Sequence, residues 1–133
     1  MNSQGSRILD LVSPLFEAYR DKVSFAYLFG STAEERMSPL SDIDVAIFLE
    51  SEERQSQFKL KMALHAELCR MLNRNDIDIL VLNTVNNIVL LEEIVRHGRV
   101  IFDGNEDLRE DFEQKVIHRA IDFKLQRLAT MGV

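Results

Sequence analysis

Apolar positions along the chain alternate between two rhythms. From Arg7 to Tyr19, Ile8, Leu9, Val12, Leu15 and Phe16 recur at the three-to-four-residue spacing of one helix face. Pro14 sits inside that run and lacks a backbone donor, which predicts a kink or a split. Residues 23–29 form an unbroken β-branched and aromatic run ending at Gly30, the mark of a buried strand. Residues 42–49 repeat that character as a second strand, and residues 76–82 as a third. Between the first two, residues 32–36 fit a short helix capped by Ser31, and residues 37–41 a loop, since Pro39 disfavours helix just before it.

A charged stretch at residues 51–53 then leads into a long helix ending near Asn73. Leu60, Leu64, Leu68 and Leu72 share its apolar stripe beside Met71, while Lys59, Lys61, Glu67 and Arg70 face water. Asn86 or Asn87 can cap a further helix running to His97, with Gly98 closing it as a C-cap and residues 100–102 following as a short edge strand. Asn105 caps a last helix reaching about Ala129, whose first turns carry the acids that a helix N-terminus favours. Leu108, Phe112, Val116 and Ala120 form one stripe on it, and Ile117, Ile121, Leu125 and Leu128 an adjacent one. Both are expected to cover the sheet and the first helix, the alternative for the second being an interface; Phe123, off both stripes, is a candidate contact. Helices alternating with three or four strands argue for a layered α/β domain.

Length and charge narrow what such a domain does. At 133 residues the chain is read as a single domain over residues 1–133, able to build one core without staples. A lone cysteine leaves no disulfide framework, and no His/Cys ligand spacing suggests structural zinc. No apolar run is long enough to span a bilayer and the N-terminal residues do not read as a signal peptide, so no membrane association and a cytoplasmic location are expected. The formal net charge of −6, with no Lys/Arg cluster along the sequence, argues against gripping long nucleic acid. Cys69, beside the apolar stripe of the long helix, reads as a packed thiol, and His65, His97 and His118 read as surface or packing residues.

The chemistry concentrates at strand ends. Gly30 and Ser31 directly follow the first strand, and Asp42-Ile43-Asp44 opens the second. Positions i and i+2 of a strand share a face, so Asp42 and Asp44 present paired carboxylates while Ile43 and Val45 point the other way. Adjacent carboxylates repel unless a cation lies between them, and hard oxygen donors suit Mg²⁺, which takes its remaining ligands from water and substrate phosphates. Gly30 leaves room for close backbone approach, and Ser31 with nearby amides can hold phosphate oxygens. Asp76-Ile77-Asp78 opens the third strand in the same way. Asp78 is the better candidate for a third carboxylate serving a two-metal site, because an apolar core run follows it, with Asp76 as its competitor.

The arrangement G-S-x(10)-D-x-D, here Gly30, Ser31, Asp42 and Asp44, resembles the signature of the DNA polymerase beta-like nucleotidyltransferase superfamily. The setting is similar over residues 20–103, and the third carboxylate of that family carries over onto Asp78. The resemblance implies a nucleotidyltransferase fold, a small mixed sheet of three to four strands flanked by four to five helices. The chain lacks the template-binding and acceptor-binding additions of larger members, and it is similar in size to the minimal nucleotidyltransferase (MNT) antitoxins encoded beside HEPN-domain ribonuclease toxins. In residues 91–107 it also resembles the stretch that follows their third strand.

That likeness implies an Mg²⁺-dependent protein adenylyltransferase, with two ions, ATP as donor and pyrophosphate released. Its acceptor would be a tyrosine hydroxyl of a cognate HEPN toxin, which the transfer neutralises within a hetero-oligomer. The alternatives are an antitoxin that blocks the toxin by stoichiometric binding alone, or a transferase for a small hydroxylated molecule such as an aminoglycoside. Arg36, Lys59, Arg96, Arg99, Lys115 and Lys124 are unranked candidates for ATP contacts.

Overall fold

A computed structural model describes the backbone of residues 4–30 and 42–131; the expected short helix at 32–36 and loop at 37–41 lie outside it. The described chain runs α1 (Gln4–Ala18), β1 (Val23–Phe29), β2 (Ile43–Leu49), α2 (Arg54–Leu72), β3 (Ile77–Val81), a 3₁₀ turn (Leu82–Thr84), α3 (Ile88–His97), β4 (Arg99–Asp103) and α4 (Glu106–Met131). It is a mixed α+β fold. The sheet has four strands in the order β3-β2-β1-β4. β1 pairs antiparallel with both β2 and β4, whereas β2 and β3 run parallel. A parallel pair needs a crossover, and α2 supplies it. β2 and β3 therefore begin at the same end of the sheet, beside the point where antiparallel β1 finishes at Gly30.

Both faces of the sheet are covered, which is why β1 reads as an unbroken apolar run rather than an alternating one. On one face Val12, Leu15 and Phe16 of α1 and Leu64 and Leu68 of α2 close over Ala26, Leu28, Val45 and Ile79. On the other, Leu91 and Ile94 of α3 and Val116 of α4 close over Phe25, Tyr27 and Ala46. The Tyr27 hydroxyl, buried beneath α4, donates to Glu113 Oε2 at 2.5 Å. Burial and that carboxylate hold the phenol well above its usual titration range. At the far end of β2, where β3 has already turned into the 3₁₀ segment, the Asn83 amide accepts from Leu49 N and donates to Leu49 O, each at 2.9 Å. No helix among the described residues is long and apolar enough to cross a membrane.

Several local expectations change. α1 runs through Pro14 as one helix; Pro14 and Asp10 are both exposed, so water can satisfy the Asp10 carbonyl that Pro14 leaves without a donor. Asn87, rather than Asn86, caps α3, accepting from Leu90 N at 3.1 Å. Gly98 is not left-handed, with φ −71° and ψ 159°. Glycine is needed there because a Cβ would lie 2.3 Å from Ile94 O. The left-handed cap falls on Asn73, after α2. On α4 the first stripe packs, with Val116 and Ala120 buried, but the second does not cover the body: Ile121, Leu125 and Leu128 are 45%, 58% and 66% exposed. His65 is half-buried and its Nε2–H donates to Ile77 O at 2.9 Å, while His97 and His118 lie exposed.

Candidate active site

Three strand ends converge where β1 finishes and β2 and β3 start. Phe29 pairs with Asp44, and Asp44 pairs with Asp78, so the two carboxylates lie directly across the parallel ladder from each other. Their isoleucine neighbours, Ile43 and Ile77, point into the core. Strand alternation then sends Asp42, Asp44 and Asp78 toward the opposite face. Ile43 N donates to Asp76 O at 2.9 Å, which fixes the register at the mouth of the site.

Gly30 and Asp44 are matched to one another. Gly30 has φ +75°, and a Cβ built on it would stand 2.7 Å from Asp44 Oδ2. Any side chain at position 30 therefore meets both a strained backbone and the carboxylate. Asp44 is half-buried, and burial first, then the charges of Asp78 and Asp42, lift its carboxyl above the usual aspartate value. Asp76 has a different fate. Arg74 grips it with both prongs of its guanidinium, Nε to Oδ1 at 2.7 Å and Nη2 to Oδ2 at 2.5 Å, and that bond holds the Asp76 carboxyl below the usual aspartate value.

The donor set suits a hard divalent cation: all oxygen, carrying mutual repulsion, with a glycine where any side chain would press on Asp44. Among the described residues no three acidic, His or Cys side chains stand close enough to grip one ion by themselves. Mg²⁺ asks for less, since one or two carboxylates, waters and substrate oxygens complete its shell. Ser31 lies outside the described residues, as does Arg36.

The other candidate nucleotide contacts are scattered over the molecule. Arg96 and Lys124 both bind Glu92, at 2.9 Å each, and Lys115 pairs with Asp111 at 2.8 Å. Lys59 lines a cavity of about 610 Å³ with Glu50 and Asp21, at the opposite end of the sheet, while Arg99 is paired in register with Leu28, near Gly30. Sequence reasoning missed the Arg74 clamp, whose only signal is an arginine two residues before an aspartate at a strand start. It also missed a cavity of about 620 Å³ at the far end of β2 and β3, lined by Phe48, Leu82, Arg54 and Arg119.

Known proteins resemble this chain in family and fold. A family model described as polymerase beta, nucleotidyltransferase, matches residues 12–107. A search of curated proteins returns no significant match. Among solved structures, a mutant of the toxin-antitoxin MntA-HpeT is 21% identical, covering 93% of this chain and 95% of that one, with a TM-score of 0.71. A toxin-antitoxin structure with AMP-PNP is 22% identical, with coverage of 93% and 95% and a TM-score of 0.70. The tri-AMPylated Shewanella oneidensis HEPN toxin in complex with MNT antitoxin gives 21%, coverage of 96% of each chain, and a TM-score of 0.66. At these identities the likeness is one of fold.

Proposed function

We propose that this chain, which belongs to the polymerase beta nucleotidyltransferase family, is an antitoxin that transfers AMP from ATP to a tyrosine hydroxyl of a cognate HEPN-domain toxin in the cytoplasm. The observation that carries the reading is the pair Asp44 and Asp78 facing each other across the parallel ladder, with Gly30 closed against Asp44. The shared fold with antitoxin complexes, one holding AMP-PNP and one a tri-AMPylated toxin, supports the choice of donor and acceptor.

Asp42 and Asp44, with Asp78 for a second ion, are the residues that would hold Mg²⁺ on the triphosphate. Bound there, Mg²⁺ would supply charge neutralisation at the phosphates. Gly30 and Ser31 hold the β and γ phosphates. Asp78 draws the proton from the acceptor hydroxyl as its oxygen bonds to the α phosphorus, and the bond from that phosphorus to pyrophosphate breaks. Asp44 sits on β2 and Asp42 immediately before it, so catalysis is positioning and electrostatics at the start of a rigid element.

The test is incubation of the chain with Mg²⁺, α-labelled ATP and the HEPN-domain protein encoded beside it, followed by mass spectrometry of that protein. An AMP-mass addition on tyrosine is expected from the wild type. Labelling that persists in an Asp42→Asn/Asp44→Asn variant sinks the assignment. The exposed stripe Ile121, Leu125 and Leu128 favours one second reading, inhibition by contact alone, in which that variant still neutralises the toxin without ATP.

A further inference from the structure

The cavity at the far end of β2 and β3 belongs to a longer surface feature. It shares Arg54 and Thr84 with a hollow on α2 lined by Phe58 and Lys61, and Arg119 with a hollow between α3 and α4. That hollow in turn shares Phe123 and Gln126 with another, which ends at Arg127 and Thr130. From Phe112 to Thr130 alone, the helix rise gives this groove a length of about 27 Å.

Its chemistry contrasts with that of the whole chain. Five cations, Arg54, Lys61, Lys115, Arg119 and Arg127, stand along it against the carboxylates Glu52 and Asp122, in a protein of formal net charge −6. Among the described residues, Arg54, Lys61 and Arg119 enter no ion pair; Lys115 pairs with Asp111, and Arg127 stacks over Phe123 at 5.8 Å. The floor is apolar, made by Leu82, Leu91 and Val116, and Phe58 and Phe123 stand exposed at its two ends. Several polar groups along it are already engaged within the protein: Asn83 on Leu49, Gln57 on Ser51 O, Thr84 on Val81 O and Thr130 on Gln126 O, while the amides of Asn86 and Gln126 also line it. The charged groups that dominate recognition are therefore guanidinium and ammonium groups over an apolar floor.

We infer that this groove docks an acidic, apolar-anchored segment of the protein acceptor, separate from the carboxylates that act on it. The inference rests on the reading that the acceptor is a protein. Length favours a polypeptide over a small ligand, since 27 Å matches about five turns of helix. The floor of Leu82, Leu91 and Val116, with Phe48 and Phe112 beside it, receives the apolar face of an amphipathic segment, and a chain of formal net charge −6 with Glu52 and Asp122 on this rim disfavours a continuous run of phosphates. The separation is workable. Asp44 and Phe48 lie on the same strand about 13 Å apart at strand rise, so roughly four extended residues of a bound partner reach from groove to carboxylates.

The test measures binding of the full chain to the HEPN-domain protein encoded beside it, apart from transfer. Arg54→Glu/Arg119→Glu should weaken binding about 100-fold and leave Mg-ATP binding unchanged, while Arg54→Lys/Arg119→Lys retains most of it. Raising salt from about 50 to 300 mM should weaken the wild type more than the charge-reversed variant. Undiminished binding by that folded variant overturns the groove and leaves the transfer reading intact. Asp42→Asn/Asp44→Asn should bind yet not label; a wild type that binds through the groove and never labels sinks transfer and keeps the groove. Failure of the wild type to bind overturns both. Binding of single-stranded poly(U) that depends on Arg54 and Arg119 replaces the protein partner with RNA.

Discussion

Two copies of the tripeptide Asp-Ile-Asp open neighbouring parallel strands, and the fold gives them different electrostatics. In both, the isoleucine is buried, and Ile43 pairs with Ile77. Around the first, Gly30 follows the end of β1, burial and two like charges press on Asp44, and its proton is held more tightly than usual. Around the second, Arg74 reaches Asp76 and loosens its proton, leaving Asp78 to face Asp44. The difference lies in the neighbours: one aspartate is strained by its own kind and calls for an outside cation, and another already has an internal one.

That contrast can be broken experimentally. Asp44→Asn should cost the most, about 1000-fold in AMP transfer with the fold kept, measured with α-labelled ATP. Asp78→Asn should cost about 100-fold, whereas Asp76→Asn should change the rate less than about threefold; equal losses at 76 and 78 would erase the proposed division between them. Gly30→Ala should lower transfer about tenfold and destabilise by about 1–2 kcal/mol, because the new Cβ meets Asp44 Oδ2 at 2.7 Å and φ is +75°.

The smallest expected effect is on stability against pH, without metal. The native state holds the Asp44 proton where the unfolded chain has released it, so stability falls as pH rises from the ordinary aspartate value through the raised native one. Asp44→Asn should accordingly resist urea better than the wild type at neutral pH, and the advantage should vanish below the ordinary aspartate value. Asp76 behaves inversely: its contribution is present above the ordinary value and lost as pH falls through its lowered native one, so Asp76→Asn should weaken the protein at neutral pH.

The strands were legible because β-branched and aromatic runs between Gly, Asn and Asp leave little choice, and β1 spans the residues expected, 23–29. The strand pattern favours Asp78 over Asp76 as the third carboxylate, with Asp76 as a competitor. The Arg74 clamp on Asp76 was not legible, because it depends on a side-chain rotamer that no periodicity encodes. The last helix misled for another reason: an apolar arc states which side of a helix wants cover, not where the body of the protein stops, and beyond Ala120 the described side chains of α4 are exposed. The cationic groove was invisible because its charges lie at 54, 61, 115, 119 and 127, and only the crossing of α2 and α4 past the end of β2 gathers them.

Asn83 has a wider consequence. By pairing both peptide groups of Leu49, its side chain stands in for the residue β3 would need to add, so β2 gains one rung on the side where β3 has ended. The Leu49 amide proton should then exchange with solvent as slowly as one in mid-sheet, and the backbone is released early to turn into the 3₁₀ segment under the groove. One carboxamide thus replaces a length of main chain, and the sheet ends in a socket.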